Sequence, residues 1–148
     1  MAYLTNPMQF NGNGGFQPIT DYADSSITHT HALVADKKSF LVFTHNKYIV
    51  IPTHLVAFFY VKHDTTILVT FDKQEYFVNY SLDHIQEMLS GKQFYRLNRQ
   101  YLLNFDAVKE VEHYFARKLL VNPIVAFAEK LIVSKEKARH FLDWLENR

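Results

Sequence analysis

Cysteine is absent from the 148 residues, and glycine and proline are scarce at four each. Without thiols there is no disulfide scaffold and no thiolate metal site, so stability has to come from a packed core. Three of the four glycines fall in Asn11-Gly12-Asn13-Gly14-Gly15, with Pro7 before and Pro18 after. That clustering marks residues 1–36 as a flexible tail or linker and leaves 37–148 as one folded domain. The glycines are poorly placed to cradle phosphate, because no strand precedes them and no helix follows. No apolar run approaches the length of a membrane span. A basic start followed by an apolar core is also missing, so no signal peptide is expected. These absences fit a cytoplasmic protein.

What the chain does have is apolar and aromatic content, 48% and 16%, enough for a sizeable single core. Net charge is only +1, but it is unevenly spread. Residues 1–90 hold 5 Lys/Arg against 8 Asp/Glu, whereas 91–148 hold 11 against 7 and include all five arginines. A basic face, rather than a basic total, is what a nucleic-acid partner requires. Solvated helix faces would give the same asymmetry.

Regular structure is expected from Lys38. Ser39-Phe40-Leu41-Val42-Phe43 and Tyr48-Ile49-Val50-Ile51 flank a hairpin turn at Thr44-His45-Asn46-Lys47, and Pro52 closes the second run. Strands follow at Val56 to Val61, Thr66 to Thr70 and Glu75 to Val78. Leu82, Ile85, Met88 and Leu89 then recur at helical spacing, predicting a helix over about 81–89 that ends near a left-handed Gly91. Val108 to Glu112 alternates in polarity, and Lys118 to Val121 and Leu131 to Val133 read as short strands. A last helix over 134–146 is predicted with Ser134 as its N-cap and Ala138, Phe141, Leu142 and Leu145 as its apolar stripe. The pattern is mainly β (α+β), an elongated sandwich of short, mostly antiparallel strands with two short helices.

The segment that fits this plan least well is Phe94-Tyr95-Arg96-Leu97-Asn98-Arg99-Gln100-Tyr101-Leu102-Leu103-Asn104. Two arginines and two amides interrupt what is otherwise a pair of buried strands. Arg can pair with guanine O6 and N7, and Asn or Gln with adenine N6 and N7. A polar turn holding a salt-bridged arginine would use the same residue types. Arg96 also suits a structural role, bracing its strand from the other face. Asn98 and Arg99 are expected to project from the strand ends, each contributing little to folding. Lys135 and Lys137 lie in the first turn of the last helix, where carboxylates are preferred. Phosphate binding or simple solvation would account for them. Lys62-His63-Asp64-Thr65 offers donors in another strand connection.

The segment 94–104 resembles the signature of the LytTR DNA-binding domain, and the resemblance spans about 38–147. It includes Val56-Ala57-Phe58-Phe59-Tyr60, Tyr80-Ser81-Leu82 and Ile132-Val133-Ser134 at the right spacings. The resemblance implies a sequence-specific transcription regulator whose loops enter successive major grooves of double-stranded DNA. Its DNA-binding residues would be Lys62, His63, Asn98, Arg99, Gln100, Lys135 and Lys137. Asn98 stands where the family often has His. It also implies promoter sites, including paired repeats, bound by a monomer or weak homodimer. Such domains commonly follow a receiver domain in bacterial two-component response regulators. The residues before Lys38 do not form one, so the chain is expected to be standalone or part of a longer regulator. Asn122 to Lys130 departs from the family's usual short glycine turn.

The competing reading is a β-rich protein-interaction or ligand-sensing module that does not bind DNA. His29-x-His31 has strand spacing but no third ligand beside it, so no metal is expected, and no cofactor. No catalytic motif is recognisable, and the protein is not expected to be an enzyme.

Overall fold

The structure is a computed structural model that describes residues 8–10, 16–18 and 36–147. The chain divides into two units, residues 1–35 and 36–148. In the first, β1 (Met8–Phe10) and β2 (Phe16–Pro18) pair antiparallel, Met8 opposite Pro18. The sequence reading assigned no strands there. His29, His31 and the glycine cluster lie outside the described residues.

The second unit contains, in chain order, β3 (Ser39–Thr44), β4 (Lys47–Pro52), β5 (Val56–Lys62), β6 (Thr65–Thr70), β7 (Glu75–Val78), α1 (Leu82–Met88), β8 (Phe94–Arg96), β9 (Tyr101–Asn104), β10 (Val108–His113), β11 (Leu119–Pro123), β12 (Leu131–Val133) and α2 (Lys135–Glu146). Its centre is a five-stranded antiparallel sheet in the order β7-β6-β5-β9-β8. Successive strand residues point to opposite faces, so a strand covered on both sides reads as continuously apolar. Val56 to Tyr60 of β5 are all buried for this reason. Val56 and Phe59 join Phe40, Leu68, Ile85 and Leu102 in one core, closed by the β3–β4 hairpin and α1. Phe58 and Tyr60 join Tyr101, Leu103, Leu131 and Phe141 in the other, closed by β10-β11-β12 and α2.

Three expectations at the helices are corrected. Gly91 does not adopt a left-handed backbone. Instead α1 runs into an extended Leu89 (φ −117°), whose side chain is buried. Leu142 is exposed, and the packed face of α2 carries Ala138, Phe141, Trp144 and Leu145. Trp144 wins that place because its indole N–H donates to Gly91 O at 2.8 Å and its ring lies 5.0 Å from Tyr95. At Ser134 the residue stands at the N-cap, yet its side chain makes no capping hydrogen bond. The alternation expected in β10 is broken by a bulge between Val108 and Glu110, which leaves Val108 and Val111 as the half-buried pair.

Within residues 122–130, Val125 and Phe127 turn onto the sheet while Ile124, Ala126 and Ala128 to Lys130 stay exposed. Val125 is buried, and the Phe127 ring packs 4.9 Å from Phe58 and 5.1 Å from Tyr60. Nearby, Tyr60 donates to Glu75 at 2.8 Å and Tyr101 to Glu129 at 3.1 Å. Burial, then the hydrogen bond and charge of Glu75, push the Tyr60 phenol up to about 12. Burial and Glu129 also raise Tyr101. A group whose folded pKa is raised contributes stability that is complete below the unfolded pKa and lost as pH climbs to the folded one. Stability is therefore expected to hold up to pH ~10, the free tyrosine value, and then fall towards pH 12. Urea midpoints followed alongside tyrosinate absorbance will check this. A flat profile across that window would contradict it.

Candidate nucleic-acid interface

Three polar elements that are distant in sequence are tied together at one end of the central sheet. The first is the β5–β6 tip, where His63 (φ 50°) and Asp64 (φ 59°) both take positive φ. Two-residue hairpin loops need that geometry to match the strand twist, and the short Asp side chain tolerates it. The tip leaves Lys62 and His63 exposed. Lys62 Nζ sits 3.7 Å from a Glu129 carboxylate oxygen.

The second element is the loop between β8 and β9. Its Gln100 carbonyl accepts from Val61 N–H at 3.0 Å, which fastens it to the first. Arg96 points back across the loop. Its Nε donates to Asn98 O at 2.7 Å, one terminal nitrogen reaches Arg99 O at 3.1 Å, and the other pairs with Asp83 Oδ1 at 2.7 Å. Arg96 thus braces the loop against α1. Asn98 is also occupied: its Oδ1 accepts from the N–H groups of Gln100 and Tyr101 at 2.7 and 3.2 Å. Its Nδ2 donates to Ile132 O at 2.8 Å. The expectation that Asn98 projects freely is therefore corrected, because all of these bonds are internal. Arg99 and Gln100 are exposed.

The third element is the start of α2, which follows β12 directly. Asn98 reaches β12 through Ile132, and Lys137 Nζ reaches back to Arg96 O at 3.2 Å. Lys137 is half-buried, and burial, with the Arg96 charge beside it, lowers its pKa. Its side chain is turned into the protein, unlike Lys135, which is exposed. Of the seven residues singled out from the sequence, Lys62, His63, Arg99, Gln100 and Lys135 present side chains to solvent, while Asn98 and Lys137 hold the elements together.

Asn104, at the end of the same segment, is buried and hydrogen-bonded through both its amide nitrogen and its oxygen. It donates to Val56 O at 2.8 Å and accepts from Asp106 N–H at 2.9 Å and Gln93 Nε2 at 2.6 Å. Sequence reasoning gave it no role of its own. Glu129 was missed as well, since it lies in a segment with no periodic signal.

The arrangement is a row of exposed guanidinium, amide, imidazole and ammonium groups mounted on a braced β framework. Such groups suit phosphate oxygens and base edges. The family model of the LytTr DNA-binding domain matches residues 46–146, well over half of the chain. The chain belongs to the LytTR family.

It is therefore a DNA-binding domain of the kind found in response regulators. Among solved structures, this LytTR domain is similar to the LytTr DNA-binding domain of a Bacillus cereus protein described as a methyl-accepting/DNA response regulator. The TM-score is 0.64 at 21% identity, covering 74% of this chain and 97% of that one. That likeness supports the fold. No curated protein matches the LytTR chain in sequence. Among the described residues, no helix is long and apolar enough to cross a membrane.

Proposed function

We propose that residues 37–148 form a sequence-specific transcription-regulator domain without catalytic activity, working in the cytoplasm on promoter DNA as a monomer or weak homodimer. Arg99, Gln100 and His63 face base edges, and Lys62 and Lys135 meet phosphates. Asn98 and Lys137 act as positioning residues. The observation that carries this reading is the chain of hydrogen bonds Val61–Gln100, Asn98–Ile132 and Lys137–Arg96, which gathers three basic elements at one end of the sheet. Directional readout needs side chains mounted on such a held framework. Paired promoter repeats would seat two copies.

The test uses duplexes selected from a random pool, with affinity measured across salt concentrations. Arg99→Ala is expected to cost about 1–3 kcal/mol on the selected site and to relax preference at one or two base pairs. Lys135→Ala should weaken all sequences about equally and reduce the magnitude of the salt slope by about 1. If an Arg99→Ala, Gln100→Ala double variant folds and keeps full affinity and preference, this end is not the reading surface.

A further inference from the structure

The β10–β11 connection is longer than the two tight hairpins, five residues (Tyr114 to Lys118) against two, but shares their pair of successive left-handed residues with a less suitable sequence. Lys118 N–H donates to Phe115 O at 3.2 Å, and the two residues between, Ala116 (φ 58°) and Arg117 (φ 61°), are both left-handed. The β3–β4 and β5–β6 tips place Asn46 and Asp64 at the second of these positions, where a short polar side chain eases the cost. Alanine and arginine offer no such relief. Glycine would satisfy the turn better at both places, so an arginine held there at a conformational cost points to a use for its side chain.

The surroundings indicate which use. Ala116, Arg117 and Lys118 line one surface concavity together with Lys135 and Glu136, placing three cations and one carboxylate around it. Phe115 is 67% exposed, and Lys118 Nζ stands 5.2 Å above its ring. Tyr114 packs against Phe115 at 4.6 Å between ring centroids, which backs the exposed aromatic with a second one. An exposed aromatic beside cations offers an apolar face to a sugar and charge to the phosphates on either side of it. We infer that the β10–β11 tip is a fourth DNA-contacting element, in which Arg117 takes a phosphate adjoining the one met by Lys135 and Phe115 presses on the neighbouring sugar. This rests on the proposed role of Lys135 and extends the interface beyond the three elements above.

The experiment is a salt titration of the full chain with a selected duplex, combined with hydroxyl-radical footprinting, which reports sugar accessibility. Arg117→Ala should lower the magnitude of the salt slope by about 0.9, and Arg117→Lys should restore it. Phe115→Ala should weaken binding roughly fivefold or more at every salt concentration, leave the slope unchanged and expose one or two protected sugars. Melting temperatures should match the parent, because both side chains are exposed. If both alanine variants keep parental affinity, slope and footprint while Lys135→Ala loses slope, the tip is not a contact and the three-element interface stands. If the parent chain shows no salt-dependent DNA binding at all, that interface falls and the inference falls with it.

Discussion

Leu102→Ala should destabilise the domain by about 2–5 kcal/mol, the range for truncating a fully enclosed leucine. Leu102 has no solvent exposure and lies on β9, opposite Phe59 of β5 on one side and Arg96 of β8 on the other. It belongs to the core shared with Phe40, Leu68, Leu82 and Ile85. Neighbouring strands are fixed by their ladders, so the cavity cannot collapse cheaply. Urea denaturation should show a lowered midpoint with little change in slope, and DNA binding should survive where the variant is folded. A loss below about 1 kcal/mol would mean this face of the sheet is loosely packed.

Asn98→Ala should act on both folding and binding. The variant removes an acceptor shared by two backbone N–H groups and the donor to Ile132 O. Leaving such partners unmade costs about 1–3 kcal/mol, tempered here by partial access to water. The loop would then lose its tie to β12, and affinity should fall across all duplex sequences. Preference at individual base pairs should change little. The opposite pattern, unchanged stability with a relaxed preference at one base pair, would identify Asn98 as a reader. Stability curves and selected-site competition on the same preparation distinguish the two.

These residues also show where sequence reading succeeds and where it stops. The β3–β4 hairpin and the β5 and β6 strands of the central sheet were legible because β-branched and aromatic runs bounded by His45-Asn46 and His63-Asp64 carry their own punctuation. The chemical character of Arg96 to Gln100 was equally plain, and so was a bracing role for Arg96. The direction in which each side chain points was not. Whether Asn98 faces solvent or the protein depends on Ile132, 34 positions away, and Lys137 is turned inward by a carbonyl 41 positions back. Periodicity placed α2 correctly but chose Leu142 over Trp144, because the deciding partner, Gly91 O, is 53 positions away. Residues 122–130 carry no repeat at all, and only packing against the rings of Phe58, Tyr60 and Tyr101 explains why Phe127 folds over them.

The separations just named have a kinetic consequence. Chains whose native contacts join distant segments must close large loops before any contact rewards them, and they fold in roughly milliseconds to seconds rather than microseconds. Here Asn104 meets Val56 across 48 positions, and Tyr95 meets His140 across 45. During synthesis, the strands of the central sheet emerge well before α2, yet the interface they carry is fastened by residues 132 and 137. A nascent chain arrested before Ile132 would therefore hold most of its sheet and none of its finished interface. Competence to engage DNA should arrive late and abruptly, with release of the C-terminal helix from the ribosome.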